Sequence, residues 1–226
     1  MELTLDTGTK AGAVSGILNL PNEANALLVF AHGAGAGMRH SFMETMSQLL
    51  GELGIGTLRY QFPYMEVGRG GPDRPVILEA TVGAAVAVAA RLAPGLPLVA
   101  GGKSMGGRMT SGAAAKAPLP GVTGLVFFGF PLHQPGKPGT PRADHLSQVT
   151  VPMLFIQGTR DSLADLGLLG EVAGRLGYRA TLQVIDGGDH SFKVPKRMGK
   201  NDLQVLAEIA QTVRDWTTRV SSSPVP

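Results

Sequence analysis

A serine at position 104 has the surroundings of a nucleophile. It lies in Gly102-Lys103-Ser104-Met105-Gly106, a G-x-S-x-G pentapeptide that follows the apolar run Leu96–Ala100. A serine hydroxyl is a weak nucleophile at neutral pH, so it needs a neighbouring base and a turn that exposes its oxygen. Glycines at 102, 106 and 107 permit a sharp strand-to-helix turn and close packing of the helix. The pattern predicts acyl transfer with Ser104 as the nucleophile.

An acid and a base follow Ser104 in the order that this chemistry requires on a parallel sheet. Asp161 comes just after the apolar segment Val151–Gln157, and His190 comes after Ala180–Ile185. Because the carboxyl ends of parallel strands meet at one sheet edge, we expect the three side chains to converge. His190 would take the Ser104 proton as general base, and Asp161 would orient the imidazole.

Three other carboxylates lie near the same loops and could replace Asp161. Asp165 is predicted to lie one turn into a helix, whereas Asp186 and Asp189 share the loop of His190. Neither location is usual for the acid that orients a catalytic histidine. We therefore assign this role to Asp161.

Backbone N–H groups that could stabilise an oxyanion are predicted at two turns. Met105, the residue after the nucleophile, supplies one of them. The segment His32–Gly37 follows a short apolar run, and its small residues allow close backbone approach. We assign the second donor to Ala34, with Gly35 as the alternative. We expect His32 to hydrogen-bond locally and shape this turn; the other interpretation is a flexible turn without a catalytic role.

Cationic side chains near the expected active edge indicate either a basic rim or an ordinary solvated surface. The residues concerned, together with one tyrosine, are Arg39, Arg59, Tyr64, Lys103, Arg108, Lys137, Arg160 and Lys193. Lys103 adjoins the nucleophile and Lys193 lies near the base, so these two are the predicted substrate-binding residues. A basic rim would favour a substrate that carries a carboxylate or a phosphate.

Nucleotide and metal chemistry have little support in the sequence. A phosphate-binding P-loop needs a glycine five residues before Gly102, and Pro97 occupies that position. The glycines at 33, 35 and 37 are not spaced as in a dinucleotide fingerprint. The remaining histidines lack both metal-ligand spacing and a carboxylate partner in sequence; they are His32, His40, His133 and His145. We expect no metal and no cofactor.

The elements that must position these residues alternate between strand and helix character. Predicted strands are Leu3–Leu5, Ala13–Leu20, Ala26–Ala31, Thr57–Gln61, Leu96–Ala100, Val122–Gly129, Val151–Gln157 and Ala180–Ile185, the first two as an antiparallel pair. Predicted helices are Ser41–Leu53, Pro75–Leu92, Met105–Ala117, Ser162–Leu176 and Asp202–Val220. This order is typical of an α/β fold with a mostly parallel central sheet flanked by helices. We predict one domain, 1–220, and a flexible C-terminal tail, 221–226.

The segment Pro131–Gln148 is rich in proline and glycine and has no clear period. Long irregular loops inside compact domains are often functional. Only about twenty residues separate the strands on either side of it, too few for a large lid domain. We therefore predict a minimal cap and an open, shallow site suited to small or flexible acyl groups.

Composition excludes several other classes of function. The 226 residues carry a net charge of +3, too small and too scattered to indicate nucleic-acid binding. Cysteine is absent, which excludes disulfides and thiolate metal sites. The segment Val82–Ala90 is much shorter than the roughly 18 apolar residues of a membrane span, and the first residues lack the features of a signal peptide. We expect a cytoplasmic protein without nucleic-acid or membrane partners.

Four segments together resemble the α/β-hydrolase superfamily. They are His-Gly-Ala-Gly-Ala-Gly from His32, Gly-Gly-Lys-Ser-Met-Gly-Gly-Arg from Gly101, Gly-Thr-Arg-Asp from Gly158 and Gly-Gly-Asp-His-Ser-Phe from Gly187. The resemblance covers about Leu27 to Val220 and is closest to a bacterial branch of dienelactone-hydrolase-like and Tex30/KANSL3-like proteins. It implies the α/β-hydrolase fold and a Ser-Asp-His triad. A dienelactone hydrolase proper would use a cysteine nucleophile, which this chain lacks.

The residues and the resemblance predict a serine hydrolase. It would cleave a carboxylic ester, or a thioester or amide, through an acyl-enzyme on Ser104, and its partner would be a small acyl substrate. The alternative is a non-catalytic interaction module that keeps the fold and uses its pocket or loops to bind another molecule. The sequence does not indicate an oligomeric state.

Overall fold

Strands and helices alternate along the protein in the computed structural model, which describes residues 1–222. The strands are β1 (Glu2–Asp6), β2 (Ala13–Asn19), β3 (Ala26–Ala31), β4 (Ile55–Tyr60), β5 (Leu98–Lys103), β6 (Val122–Phe128), β7 (Met153–Gly158) and β8 (Ala180–Ile185). The helices are α1 (Ser41–Glu52), α2 (Pro63–Glu66), α3 (Pro75–Leu92), α4 (Met105–Lys116), α5 (Leu166–Leu176) and α6 (Asp202–Ser222). From residue 223 onward, the predicted tail lies outside the described residues.

The eight strands form one sheet in the order β1-β2-β4-β3-β5-β6-β7-β8. Strand β2 runs antiparallel to both β1 and β4, and all other neighbouring strands are parallel. All six residues of β3 are buried, as expected for a central strand covered on both faces. The predicted mostly parallel α/β sheet and its opening antiparallel pair are confirmed.

Helices cover both faces of the sheet and create two apolar layers. One layer contains residues of α1 and α6, such as Met46 and Ile209, against the sheet. The other contains residues of α3, α4 and α5, such as Val82, Met109 and Leu169. Among residues 1–222, α3 is the one helix long and apolar enough to cross a membrane; here its buried side chains belong to the core beneath the sheet.

Besides shifts of a few residues at strand ends, three local features differ from the sequence prediction. The short helix α2 was not predicted, and the segment expected to be irregular ends in a 3₁₀ helix, Pro141–Gln148. Helix α5 begins at Leu166 instead of Ser162, because Asp165 is its N-cap and accepts a hydrogen bond from the Leu168 N–H group over 2.9 Å. Local side-chain hydrogen bonds thus replaced a helical turn that the apolar spacing favoured.

The strand order places two functional turns beside each other. After β3 the chain crosses to β4 on one side, and β5 then pairs with β3 on the other side. Crevices at such topological switch points are the usual ligand sites of open parallel sheets. The turn after β3 and the turn after β5 both open at this crevice, and Ala31 is paired with Gly102 immediately before them.

Candidate active site

Ser104 occupies a strained turn between β5 and α4. Its backbone has φ 51° and ψ −114°, in a region that residues with a side chain seldom adopt. The turn is held because the Ser104 N–H donates to Phe128 O over 3.1 Å, and the Arg108 N–H donates to Ser104 O over 3.1 Å. Strain of this kind costs about 1–3 kcal/mol and persists where the surrounding structure enforces it. The turn has the geometry of a nucleophile elbow.

Gly106 is required by the close approach of α4 to the end of β3. A Cβ atom at this position would lie 2.5 Å from Ala31 O and 2.6 Å from His32 O, closer than real Cβ contacts. Gly102 has the same property toward Ala31 O. These two glycines allow the helix after Ser104 to pack directly on the neighbouring turn.

Ser104, His190 and Asp161 form a continuous chain of hydrogen bonds. The Ser104 hydroxyl lies 2.9 Å from His190 Nε2, and His190 Nδ1 lies 2.7 Å from Asp161 Oδ2. A carboxylate accepts a hydrogen bond only from a protonated Nδ1, so Nε2 is left free to accept the serine proton. This arrangement can activate the hydroxyl as a nucleophile.

The Asp161 carboxylate is fully buried and is satisfied by three donors. Its Oδ2 atom accepts from Gln157 Nε2 over 2.5 Å in addition to His190, and its Oδ1 atom accepts from the Leu163 N–H group over 2.8 Å. A buried carboxylate needs such partners because burial penalises an unpaired charge. The hydrogen bonds fix the carboxylate beneath the imidazole.

The other nearby acids serve different structural roles. Asp165 caps α5 rather than lying within it, which corrects its predicted placement. The Oδ1 atom of Asp189 accepts from the N–H groups of Ser191 and Lys193 over 2.8 and 2.9 Å, so it shapes the loop of His190. Asp186 is exposed. Of the four candidates, Asp161 is the carboxylate that hydrogen-bonds to His190.

Two backbone N–H groups are available beside the serine. Met105 is the first residue of α4, so its N–H group has no partner within the helix. The Gly35 N–H group donates to Tyr64 Oη over 3.3 Å, whereas the Ala34 N–H group has no such partner in residues 1–222. This difference favours Ala34 over Gly35 as the second donor. Both Ala34 and Ser104 line the same cavity.

His32 is buried beneath this turn and holds it by hydrogen bonds. Its Nδ1 atom lies 2.8 Å from Gly33 O, and its Nε2 atom accepts from the Phe62 N–H group over 3.0 Å. Burial lowers the pKa of His32 to about 4, so the ring is neutral at pH 7. The predicted local hydrogen bonding of His32 is confirmed.

A cavity of about 380 Å³ opens over Ser104. Apolar side chains from α1 and from the turn after β7 form much of its wall; they are Phe42, Met43 and Leu163. Gly33, Ala36, His40 and Ser191 complete its lining along with Ala34, Lys103, Ser104 and His190. Its volume is at the lower end of the range for small-molecule sites. Within residues 1–222, no three His, Asp or Glu side chains are grouped as metal ligands.

The predicted substrate-binding lysines lie in different surroundings. Lys103 lines the cavity, but its ammonium donates to His190 O over 2.5 Å. Lys193 is exposed and lines an adjoining cavity of about 500 Å³ with His40, Phe42 and Ser191, which also line the first cavity.

Several other members of the proposed basic rim have structural partners. Arg59 is buried and donates to Met38 O over 3.0 Å, and Arg39 pairs with Glu2. Tyr64 is also buried and holds Gly35. Arg108 is half-buried, while Lys137 and Arg160 are exposed.

Three residues that support the site from behind are not among those predicted from the sequence. Gln157 is predicted only as the end of a strand, yet it holds Asp161. Phe42 and Phe192 come from distant segments and enclose the ammonium of Lys103. A polar residue at the end of an otherwise apolar strand could have indicated Gln157, whereas no local pattern indicated the two phenylalanines.

The sequence and the fold of this chain are similar to those of known hydrolases. Residues 24–218 match a family model described as an alpha/beta hydrolase domain. A dienelactone hydrolase from Anabaena variabilis is similar with a TM-score of 0.74 and 21% identity, covering 97% of each chain. A serine hydrolase without a lid from Xanthomonas campestris has a TM-score of 0.74 and 22% identity, covering 99% of this chain and 96% of that chain. The esterase domain of a Rhodothermus marinus protein has a TM-score of 0.72 and 16% identity, covering 95% and 96% respectively.

Proposed function

The chain belongs to the alpha/beta hydrolase domain family, and on that basis we propose that it is a serine hydrolase that cleaves carboxylic esters through an acyl-enzyme on Ser104. The observation that carries the proposal is the hydrogen-bonded chain from Ser104 through His190 to Asp161. Ser104 also lies at a strained turn, lines a cavity and adjoins free backbone N–H groups, which adds support. The names of similar structures, a serine hydrolase and an esterase domain, agree with this reaction class.

The acylation step uses each of these groups once. His190 Nε2 accepts the proton of Ser104 as Oγ attacks the ester carbonyl carbon, and Asp161 stabilises the resulting imidazolium. The N–H groups of Ala34 and Met105 donate to the oxyanion of the tetrahedral intermediate. When the intermediate collapses, the bond to the alcohol oxygen breaks and His190 returns the proton to that oxygen.

Deacylation repeats the sequence with water. His190 takes a proton from a water molecule, whose oxygen attacks the acyl carbon, and the second intermediate breaks its bond to Ser104 Oγ. The proton returns to Ser104, and a carboxylic acid leaves. The net reaction consumes one ester and one water and needs no cofactor.

The cavity supports a small, largely apolar ester as the substrate. Its volume of about 380 Å³ and its wall of Phe42, Met43 and Leu163 suit a short acyl or alcohol group. Only residues 129–152 lie between β6 and β7, and they include a 3₁₀ helix that packs near α4. We propose that this segment forms the minimal cap. We also propose a cytoplasmic location, with which the absence of cysteine is compatible.

Labelling with a fluorophosphonate probe tests the nucleophile. The wild type should label and Ser104→Ala should not, with hydrolysis of a neutral 4-nitrophenyl ester falling at least about a thousandfold. Ser111→Ala is the matched control, because Ser111 Oγ also lies 2.8 Å from a histidine nitrogen, that of His145, but is buried away from the cavity. Equal labelling of wild type and Ser104→Ala would contradict the proposal and favour the non-catalytic module.

A substrate panel tests the bond type and the basic rim. Neutral esters of increasing acyl length should react with the highest kcat/KM at short lengths, ahead of the matched thioester and amide. Adding a carboxylate to the ester should improve kcat/KM only if the rim binds anions, and Lys193→Ala should then remove that gain. If the neutral ester reacts faster and Lys193→Ala changes nothing, the rim has no part in specificity.

A further inference from the structure

The ammonium of Lys103 is enclosed directly behind the general base. Its Nζ atom donates to the backbone carbonyl of His190 over 2.5 Å and lies 5.8 Å from the ring centre of Phe42 and 5.3 Å from that of Phe192. A cation within about 6 Å of an aromatic face is attracted by the ring quadrupole. The charged end of the side chain is therefore held against the loop that carries His190.

Two residues with positive φ, Gly129 and Phe192, lie against this ammonium. Gly129 has φ 69°, and a Cβ atom there would lie 3.1 Å from Lys103 Nζ and 3.4 Å from the His190 ring. Phe192 is fully buried and has φ 63°. In residues 1–222, Phe192 and the nucleophile are the two non-glycine residues with positive φ. Strained backbone at this point places an aromatic ring against the ammonium, as expected where geometry is enforced for function.

The charged and titratable groups near the ammonium come from three segments, after β7, after β8 and before α1. Asp161 after β7 and Asp189 after β8 attract it electrostatically, and the His190 ring lies beside Gly129, close to the same point as the ammonium. His40, just before α1, lines the same cavity. From the turn after β3, Gly33 packs against the Lys103 stem. Asp161 and Asp189 also accept hydrogen bonds from their own loops, and Asp161 contacts His190. The ammonium therefore lies among the groups that fix the position of His190.

We propose that Lys103 is a positioning residue for the general base: its protonated ammonium anchors the His190 backbone so that the imidazole stays aligned with Ser104. This inference rests on the proposed function, because it concerns the alignment of the same base. Lys103 is paired with Phe128 in the sheet and is covalently joined to Ser104. Its side chain therefore ties the base directly to the strand that carries the nucleophile.

The positive charge is the part of Lys103 that matters. Burial lowers the pKa of Lys103 to about 8, with Asp161 and Asp189 opposing this shift. Deprotonation above that pH leaves a neutral amine, which loses its attraction to the aromatic rings and weakens its charge-assisted hydrogen bond. The hold on His190 should then loosen, and turnover should decline as the pH rises.

Profiles of kcat and KM against pH, from 6 to 10.5 with a neutral 4-nitrophenyl ester, test the inference. The wild type should show an alkaline decline in kcat with a midpoint near pH 8. Lys103→Gln should lower kcat about tenfold at pH 7, leave KM within twofold and abolish the decline. Lys103→Arg, which keeps the charge, should recover part of kcat and move the decline above pH 10. Lys196→Met, an exposed lysine beyond the same loop, should follow the wild type.

Two results would overturn this inference. One is a wild-type kcat that stays constant to pH 10 together with an unchanged kcat in Lys103→Gln. The other is a rise in KM at constant kcat, which would make Lys103 a direct substrate contact. Fluorophosphonate labelling of Ser104 in the same samples separates either result from failure of the proposed function.

NMR spectroscopy tests the contact between Lys103 and His190 without depending on turnover. The imidazole ¹H–¹⁵N signals of His190, assigned with His190→Gln, should change near pH 8 in the wild type and not in Lys103→Gln. If these signals are identical in both proteins across this range, Lys103 does not position His190, whether or not the protein hydrolyses esters.

Discussion

Gln157 donates a hydrogen bond from Nε2 to Asp161 Oδ2 over 2.5 Å, and both side chains are buried. The same oxygen accepts from His190 Nδ1. Gln157 thus fixes the carboxylate from the strand below, while the imidazole contacts it from above. The carboxylate that contacts His190 is thus held by a glutamine that is not among the residues lining the cavity over Ser104.

Removal of this hydrogen bond should impair turnover more than binding. We expect Gln157→Leu to lower kcat about tenfold with little change in KM, because a hydrogen bond to a charged group contributes about 1.5–3 kcal/mol and part of it maintains the alignment. Steady-state kinetics on a neutral ester provides the measurement. Gln183→Leu, on the adjacent strand, is the control, since the Gln183 side chain donates to Val184 O and not to a residue of the candidate site. Equal kcat values for the two variants would show that Gln157 is dispensable.

Gly106→Ala should disrupt the elbow. The added methyl group would meet the backbone oxygens of Ala31 and His32 at 2.5–2.6 Å, so we expect the free energy of unfolding to fall by about 2 kcal/mol or more and activity to be lost. Gly83→Ala places the same methyl group on α3, where nothing lies within 4 Å. It should raise stability by about 0.5–1 kcal/mol, because alanine favours a helix. Urea denaturation of both variants compares the effects, and similar losses in both would contradict the packing argument.

Acid should destabilise the turn after β3 through His32. The pKa of His32 is about 4 in the folded protein, below the ordinary 6.5, so the unfolded chain binds an additional proton between these values. The free energy of unfolding should therefore fall as the pH decreases from 6.5 to 4, by up to about 3 kcal/mol from this group.

His32→Gln removes this titration while keeping a polar side chain. At pH 7 its free energy of unfolding should be lower than that of the wild type, but the difference between the two proteins should become smaller toward pH 4. Chemical denaturation at several pH values measures the gap. A constant gap would mean that His32 does not titrate within this range.

Deprotonation of Lys103 should stabilise the folded protein, although it should lower turnover. Lys103→Met removes this titration. The pKa of Lys103 is about 8 when folded and 10.5 ordinarily, so the unfolded chain binds the additional proton between these values. The wild type should therefore gain stability relative to Lys103→Met as the pH rises from 8 to 10.5, by about 2 kcal/mol, since one pKa unit corresponds to about 1.4 kcal/mol and residual solvent contact reduces the effect. Parallel denaturation curves at pH 7.5 and 10 test this; a difference that stays fixed contradicts it.

The α/β architecture was predictable from the sequence because the positions of strands and helices depend on local signals. Apolar runs such as Ala26–Ala31 can be buried only as central strands or core segments, and glycine and proline mark their ends. The start of α5 was predicted wrongly because the Asp165 cap competed with apolar spacing. Helix α2 was missed because a single turn has no period to detect.

Residue types and their order along the chain indicate which groups are available for chemistry. The pentapeptide around Ser104, the later Asp161 and His190, and the small residues after β3 follow from residue type and order. Three relationships are visible only in the folded protein: which carboxylate contacts the imidazole, which N–H groups stay free and which carbonyl the Lys103 ammonium contacts. The physical reason is that each of these relations joins side chains from separate strand ends. Their distances are set by sheet order and packing, which no local pattern encodes.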